Sequence, residues 1–166
     1  MKFDPTFRRL GAAAFAGLLV SAAPTALLAE TPADTLVIAD AIDDIVSLDP
    51  AEAYEFSGLD LNNNTYDGLV ELDPVTREMV PGLSDSWSVA DDGVTYTFHI
   101  RPGVTFSSGN PLRAEDAAFS LQRAIKLNKT PAFILGQFGW TPENVDQMIT
   151  ADGENVIIKT DKPYAP

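Results

Sequence analysis

Cysteine is absent from the 166 residues, and histidine occurs once, at His99. Without cysteine there is no disulfide framework, no thiolate metal site and no lipid-modified cysteine at a cleavage point. Nucleophile elbows, phosphate loops and zinc spacings are missing too: no G-x-S-x-G, no G-x-x-x-x-G-K-[ST] and no H-E-x-x-H occurs. Cations are scarce, with 11 Lys and Arg against 24 Asp and Glu and a net charge of −13. So acidic a chain repels nucleic acid and anionic lipid surfaces. His99 lies on the outer face of a predicted strand and has no second imidazole to help it, so it reads as a surface residue rather than a catalytic or metal-binding one. The acidic pairs Asp43–Asp44, Asp91–Asp92 and Glu115–Asp116 are neighbours in sequence, and neighbouring side chains diverge, so they do not form a catalytic carboxylate pair. No catalytic residue, cofactor or metal ligand is assigned, and the chain does not read as an enzyme.

What is present begins with an export signal. Residues 1–29 carry Lys2, Arg8 and Arg9, then an apolar, alanine-rich run from Leu10 to Ala29, with no acid after Asp4. Ser21, Pro24 and Thr25 interrupt that run, whereas a spanning helix needs about 20 predominantly apolar residues. Cleavage after Ala29 leaves 137 residues with a net charge of −15. The pair Arg8–Arg9 hints at twin-arginine export, but its flanks favour general secretion. Asn63-Asn64-Thr65 and Asn128-Lys129-Thr130 match the glycosylation pattern, which is idle behind a bacterial-looking signal.

Beyond the signal, "TLVIADA" (35–41) reads as a short buried strand. Asp49-Pro50 marks a turn, because the residue before proline is pushed out of the helical region. A helix is predicted over about 57–67, with Ser57 as N-cap and Gly68 at its end, then a strand "LVEL" (69–72) and a turn on Asp73-Pro74. "SWSV" and "VTYTFHI" flank an Asp92-Gly93 turn and predict a hairpin, with Val94, Tyr96, Phe98 and Ile100 on one face. A helix over about 114–127 has the apolar stripe Ala114, Ala118, Leu121 and Ile125. Loop and short helix follow over 128–147, and Asp152-Gly153 turns a second hairpin. The chain stops just past a strand, which suggests a fragment of a longer protein.

"DLNNNTYDGLVE" (60–71) places Asp60, Asn62, Asn64 and Glu71 at positions 1, 3, 5 and 12 of a calcium loop. Position 6 of such a loop is a glycine and here it is Thr65, while Asp67 stands at position 8 where an apolar residue turns inward. The stretch is better read as the end of one helix and the start of the next strand, which keeps Glu71 away from Asp60.

The segment "ADDGVTYTFHIRPGVTFSSGNPLRAEDAAFSLQRA" (90–124) resembles the signature region of the family 5 extracellular solute-binding proteins of ABC importers, which include dipeptide-, oligopeptide- and nickel-binding proteins. "SLDPA", "TYDGLVELD", "VPGLSDSWSV" and "VIIKTDKPYAP" resemble the same family in the same order, so the likeness covers 35–166. Two positions depart from the pattern. Ser108 stands where an acidic or amide residue is usual, and Arg113 stands where a threonine often caps the helix. Losing that hydroxyl costs about 1 kcal/mol of helix stability.

The resemblance implies an α/β fold of the periplasmic-binding-protein-like type, with two lobes that close on a ligand. Residues 30–66 would begin lobe one, and 67–166 would form its inserted, β-rich smaller subdomain, truncated here. It implies a periplasmic protein, not lipid-anchored and monomeric at full length, that captures peptides and delivers them to ABC permease subunits; nickel or another small solute is the alternative within the family. A secreted calcium-binding or hydrolytic module is the alternative outside it. In the family's peptide binders the segment after "SLDP" offers main-chain hydrogen bonds to the ligand, which by position makes Tyr54, Glu55 and Phe56 the candidate ligand-binding residues. Trp87, Tyr96 and Phe98 are assigned to the subdomain core.

Overall fold

A computed structural model of the chain describes residues 31–164. The expected signal at 1–29 lies outside the described residues. The chain divides into two units, Met1–Asp40 and Ala41–Pro166. In the first, residues 31–40 form a turn and extended coil, with Leu36, Val37 and Ile38 exposed. The strand expected at 35–41 is therefore not formed. Its apolar sequence has the β preference, but a strand also needs a neighbouring strand, and among the described residues no strand lies alongside it.

In the second unit the elements run α1 (Phe56–Thr65), β1 (Val70–Leu72), β2 (Met79–Pro81), β3 (Ser84–Val89), β4 (Thr95–Ile100), α2 (Ala114–Leu127), α3 (Ala132–Leu135), a 3-10 turn (Gly136–Phe138), α4 (Val145–Met148), β5 (Ile149–Asp152) and β6 (Asn155–Lys159). β1 and β2 form a two-stranded ribbon. The other four strands form one antiparallel sheet in the order β3-β4-β6-β5. Both predicted hairpins are present. Asp92 Oδ1 accepts the Val94 and Thr95 N–H groups at 2.9 Å each, and Gly93 takes the left-handed conformation (φ 68°) that an ordinary side chain resists. The two hairpins then join through β4 and β6, with Tyr96 opposite Ile158 and Phe98 opposite Val156.

Helix α2 has the bounds its sequence predicts, and it buries Ala114, Ala118, Ala124 and Ile125 against β5 and β6. Its N-cap Arg113 makes no side-chain cap; instead Asp116 reaches back, and its Oδ2 accepts the Arg113 N–H at 2.9 Å. Gln122 Nε2 donates to the Ile149 carbonyl at 2.8 Å and fastens the helix to β5. Ile100, Trp140, Val145, Ile149 and Val156 complete the core, with Trp140 Nε1 donating to the Lys159 carbonyl at 2.6 Å.

Tyr96 and Phe98 pack on this core, as assigned, but Trp87 does not and is 40% exposed. It lies directly across from Phe98, on β3 at the edge of the sheet, while α2 sits over the opposite edge. An aromatic residue in register with the core thus ends up beyond the helix that covers it.

The calcium-like stretch is a helix followed by a strand, as expected. Asn64 Nδ2 donates to the Asp60 carbonyl within α1 at 2.7 Å, and Glu71 lies on β1, where its Oε1 accepts the Gly68 N–H at 2.8 Å. The helix cap lies two residues earlier than predicted: Glu55, not Ser57, is the capping position, and Tyr66 rather than Gly68 ends the helix.

Candidate functional site

Residues 47–56 form a strap that leads into α1, and its first half is folded by Asp49. Asp49 N–H donates to Ser47 Oγ at 3.1 Å, Asp49 Oδ1 accepts the Ala51 N–H at 2.9 Å, and the Asp49 carbonyl accepts the Glu52 and Ala53 N–H groups at 2.9 and 2.8 Å. Aspartate favours such turns because its short carboxylate reaches a backbone N–H two residues on. Ala51 and Ala53 are buried, and α1 packs onto them so closely that a Cβ on Gly58 would lie 3.3 Å from that of Ala53.

The same carboxylate meets α2. Arg123 Nη1 donates to Asp49 Oδ1 at 2.9 Å and Nη2 donates to Oδ2, a two-point fork between residues 74 apart in sequence. The guanidinium, first, and the Ala51 N–H, second, hold the Asp49 carboxyl down at about 2. Asp49 is thus ionised through the neutral and mildly acid range. Between strap and helix runs a groove of about 670 Å³, lined by Leu48, Asp49, Pro50, Tyr66, Leu121 and Leu135.

The three candidate ligand residues fall where the strap becomes helix. Tyr54 is partly exposed and sets its ring edge-on against Phe133 of α3, with centroids 5.3 Å apart. Glu55 keeps an extended backbone (φ −73°, ψ 152°), and its Oε2 accepts the Tyr54 N–H at 3.1 Å. Phe56 opens α1 and is 91% exposed. The three consecutive residues thus carry an exposed aromatic ring at Phe56, an extended backbone at Glu55 and a carboxylate that is bonded to the Tyr54 N–H. The sequence resemblance names "SLDPA" and the 90–124 segment separately, without showing that Asp49 of one and Arg123 of the other form a pair.

A second cluster surrounds His99. On β4 its Nδ1 lies 2.9 Å from Asp85 Oδ1, and its Nε2 lies 3.3 Å from Glu154 Oε2 at the β5–β6 turn. Asp85 occupies an irregularity in β3, between Ser84, paired with Ile100, and Ser86, paired with His99, and this local shift turns its carboxylate to the ring. The outer-face placement of His99 was legible; its two carboxylate partners were not. The hydrogen bond to Asp85, aided by Glu154, raises the imidazole above its ordinary pKa of 6.5. Because the folded value exceeds the unfolded one, the protonated clasp contributes stability fully below about pH 6.5 and loses it as pH rises through the folded value. An NMR titration should find His99 above 6.5 and Asp85→Asn should lower it; an unshifted His99 would contradict the clasp.

Among the described residues no group of three or more His, Cys, Asp or Glu is placed to hold a metal ion, and no helix is long and apolar enough to cross a membrane.

Residues 78–166 match the family described as bacterial extracellular solute-binding proteins, family 5 Middle. The chain is 44% identical over 114 residues to the dipeptide-binding protein of Escherichia coli (strain K12), covering 61% of this chain and 21% of that one. It is 34% identical over 113 residues to the probable deoxycholate-binding periplasmic protein YgiS of the same organism, covering 64% and 21%. Among solved structures, a periplasmic oligopeptide-binding protein from Borrelia burgdorferi superposes with a TM-score of 0.61 at 27% identity, over 71% of this chain and 26% of that one. The chain thus spans about one-fifth of each of these two curated relatives.

Proposed function

Since this chain belongs to family 5 of the bacterial extracellular solute-binding proteins, we propose that it serves an ABC import system by capturing di- or oligopeptides in the periplasm and delivering them to a membrane permease. Its fold is the α/β fold of the two-lobed periplasmic binding proteins, of which it covers about a quarter. The match over more than half the chain carries this reading, and the dipeptide-binding relative supports peptide as the ligand. In this reading residues 1–29 are the export signal, 30–66 begin lobe one, 67–166 are its smaller subdomain, the protein acts as a monomer, and it performs no catalysis.

The strap supplies the ligand contacts. The extended backbone at Glu55 leaves its N–H to meet a peptide carbonyl, since its own carbonyl accepts the Leu59 N–H of α1 at 2.8 Å, while Tyr54 and Phe56 add apolar contact and Glu55 meets a cationic group. A second reading, a small solute that is not a peptide, is favoured by the deoxycholate-binding relative. Nickel has less support here, since both ring nitrogens of the single histidine already face carboxylates.

Calorimetric titration of the full-length protein with alanine di-, tri- and tetrapeptides, with deoxycholate and nickel chloride alongside, tests the reading. Micromolar binding of at least one peptide is expected, weakened about tenfold or more by combined Tyr54→Ala and Phe56→Ala, in the range of interface aromatic anchors. Binding of deoxycholate or nickel alone would overturn it.

A further inference from the structure

We propose that the Asp49–Arg123 ion pair is a positioning device for ligand capture, holding the strap that presents Tyr54, Glu55 and Phe56 in its receptive shape; this rests on the ligand role proposed for the strap. Most of the strap's own hydrogen bonds are local, within 47–53, and would let it fold as a turn without fixing where that turn sits. Among the described residues it is joined to the α2–α3 region by the Arg123 fork and by the edge contact of Tyr54 with Phe133. A ring edge resists sliding weakly. A guanidinium that meets both oxygens of one carboxylate fixes distance and angle together.

Asp49 does two things with one group. Its Oδ1 takes both the Ala51 N–H that closes the turn and an N–H of the Arg123 fork, so the residue that shapes the strap also registers it against the helix. Arg123 in turn stands on the rigid face of α2, one residue from Gln122, which is bonded to β5. The strap is therefore tied through Arg123 to the sheet, and the candidate contacts begin at Tyr54, four residues after Pro50. A ligand meeting a pre-placed strap loses less conformational freedom than one that must order it, and that difference appears as affinity.

Separate substitutions divide the two duties. Arg123→Lys keeps the charge but replaces the fork with a point contact, Arg123→Leu removes the tie and leaves the turn intact, and Asp49→Asn keeps an oxygen for the Ala51 N–H while removing the charge. The measurement is the Kd of the full-length protein for the tightest binder among the alanine peptides, taken at a temperature where circular dichroism shows every variant folded. Arg123→Leu and Asp49→Asn are expected to weaken binding about fivefold to tenfold, with Arg123→Lys in between, the order set by loss of a charge-assisted fork. A purely structural pair would lower the melting temperature in that order and leave Kd unchanged, which would overturn the positioning role while the peptide reading stood. If the unmodified protein bound none of the peptides, the peptide reading would fall and this inference with it. Should Arg123→Leu fail to fold, Arg123→Lys and Asp49→Asn decide the matter.

Discussion

Replacing Gly82 with alanine is expected to cost about 3 kcal/mol of folding stability, beyond the usual range for a surface change, because it overfills a crossing of two backbones and strips hydrogen bonds there. Gly82 follows β2 and carries the chain past Gly68 and Leu69 toward the main sheet. At this crossing Leu83 N–H donates to the Gly68 carbonyl at 2.8 Å, Ser84 N–H to the Leu69 carbonyl at 2.9 Å, and Ser84 Oγ to that same oxygen at 2.6 Å. A Cβ on Gly82 would press well inside contact distance of the Gly68 oxygen and reach 3.2 Å from the Leu69 carbonyl. All of these neighbours are backbone, so no flexible side chain can swing aside. The crossing must open, and Ser84, fully buried, would lose its partners. Urea unfolding measures the effect, with Gly136→Ala as the control, since a Cβ there meets nothing within 4 Å. Equal midpoints for Gly82→Ala and the parent protein would refute the close crossing.

That crossing also marks where sequence reading runs out. Hairpins and α2 were legible because their signals are local: the Asp92-Gly93 and Asp152-Gly153 turns, the period-two arm from Val94 to Ile100, and the Ala114–Ala118–Leu121–Ile125 stripe each lie within a few residues. Failures were relations between distant residues. Whether Leu36 to Ile38 form a strand depends on a partner; whether Trp87 is covered depends on which edge of the sheet α2 occupies; whether His99 is paired depends on an irregularity that turns Asp85. The candidate site divides the same way. Tyr54, Glu55 and Phe56 were named from a motif resemblance, yet the fork that registers them joins positions 49 and 123, and the sequence carries no local mark of that partnership.

Ile149→Ala is expected to destabilise the protein by about 3 to 4 kcal/mol, and Ile149→Val by about 1 kcal/mol, as the buried volume removed grows. Ile149 is fully buried where β5 begins, opposite Ile158 of β6 and beneath α2. Against the 5 to 15 kcal/mol that typically separates a folded domain from its unfolded state, the alanine change alone removes a large share (about a fifth or more). Its consequence reaches the strap. The Ile149 carbonyl accepts the Gln122 side chain, and Arg123 is the next residue on α2, so a cavity below the helix relaxes the platform on which the Asp49 fork stands. Residues that share such a platform do not contribute independently, and combining Ile149→Ala with Arg123→Leu should cost less than the sum of the two alone, by about 0.5 kcal/mol or more. Denaturant unfolding of the two single variants and the double variant measures that difference. A fully additive result would mean that the fork is insensitive to the packing beneath α2, and that the strap is held by the ion pair and the Tyr54–Phe133 edge without help from the core.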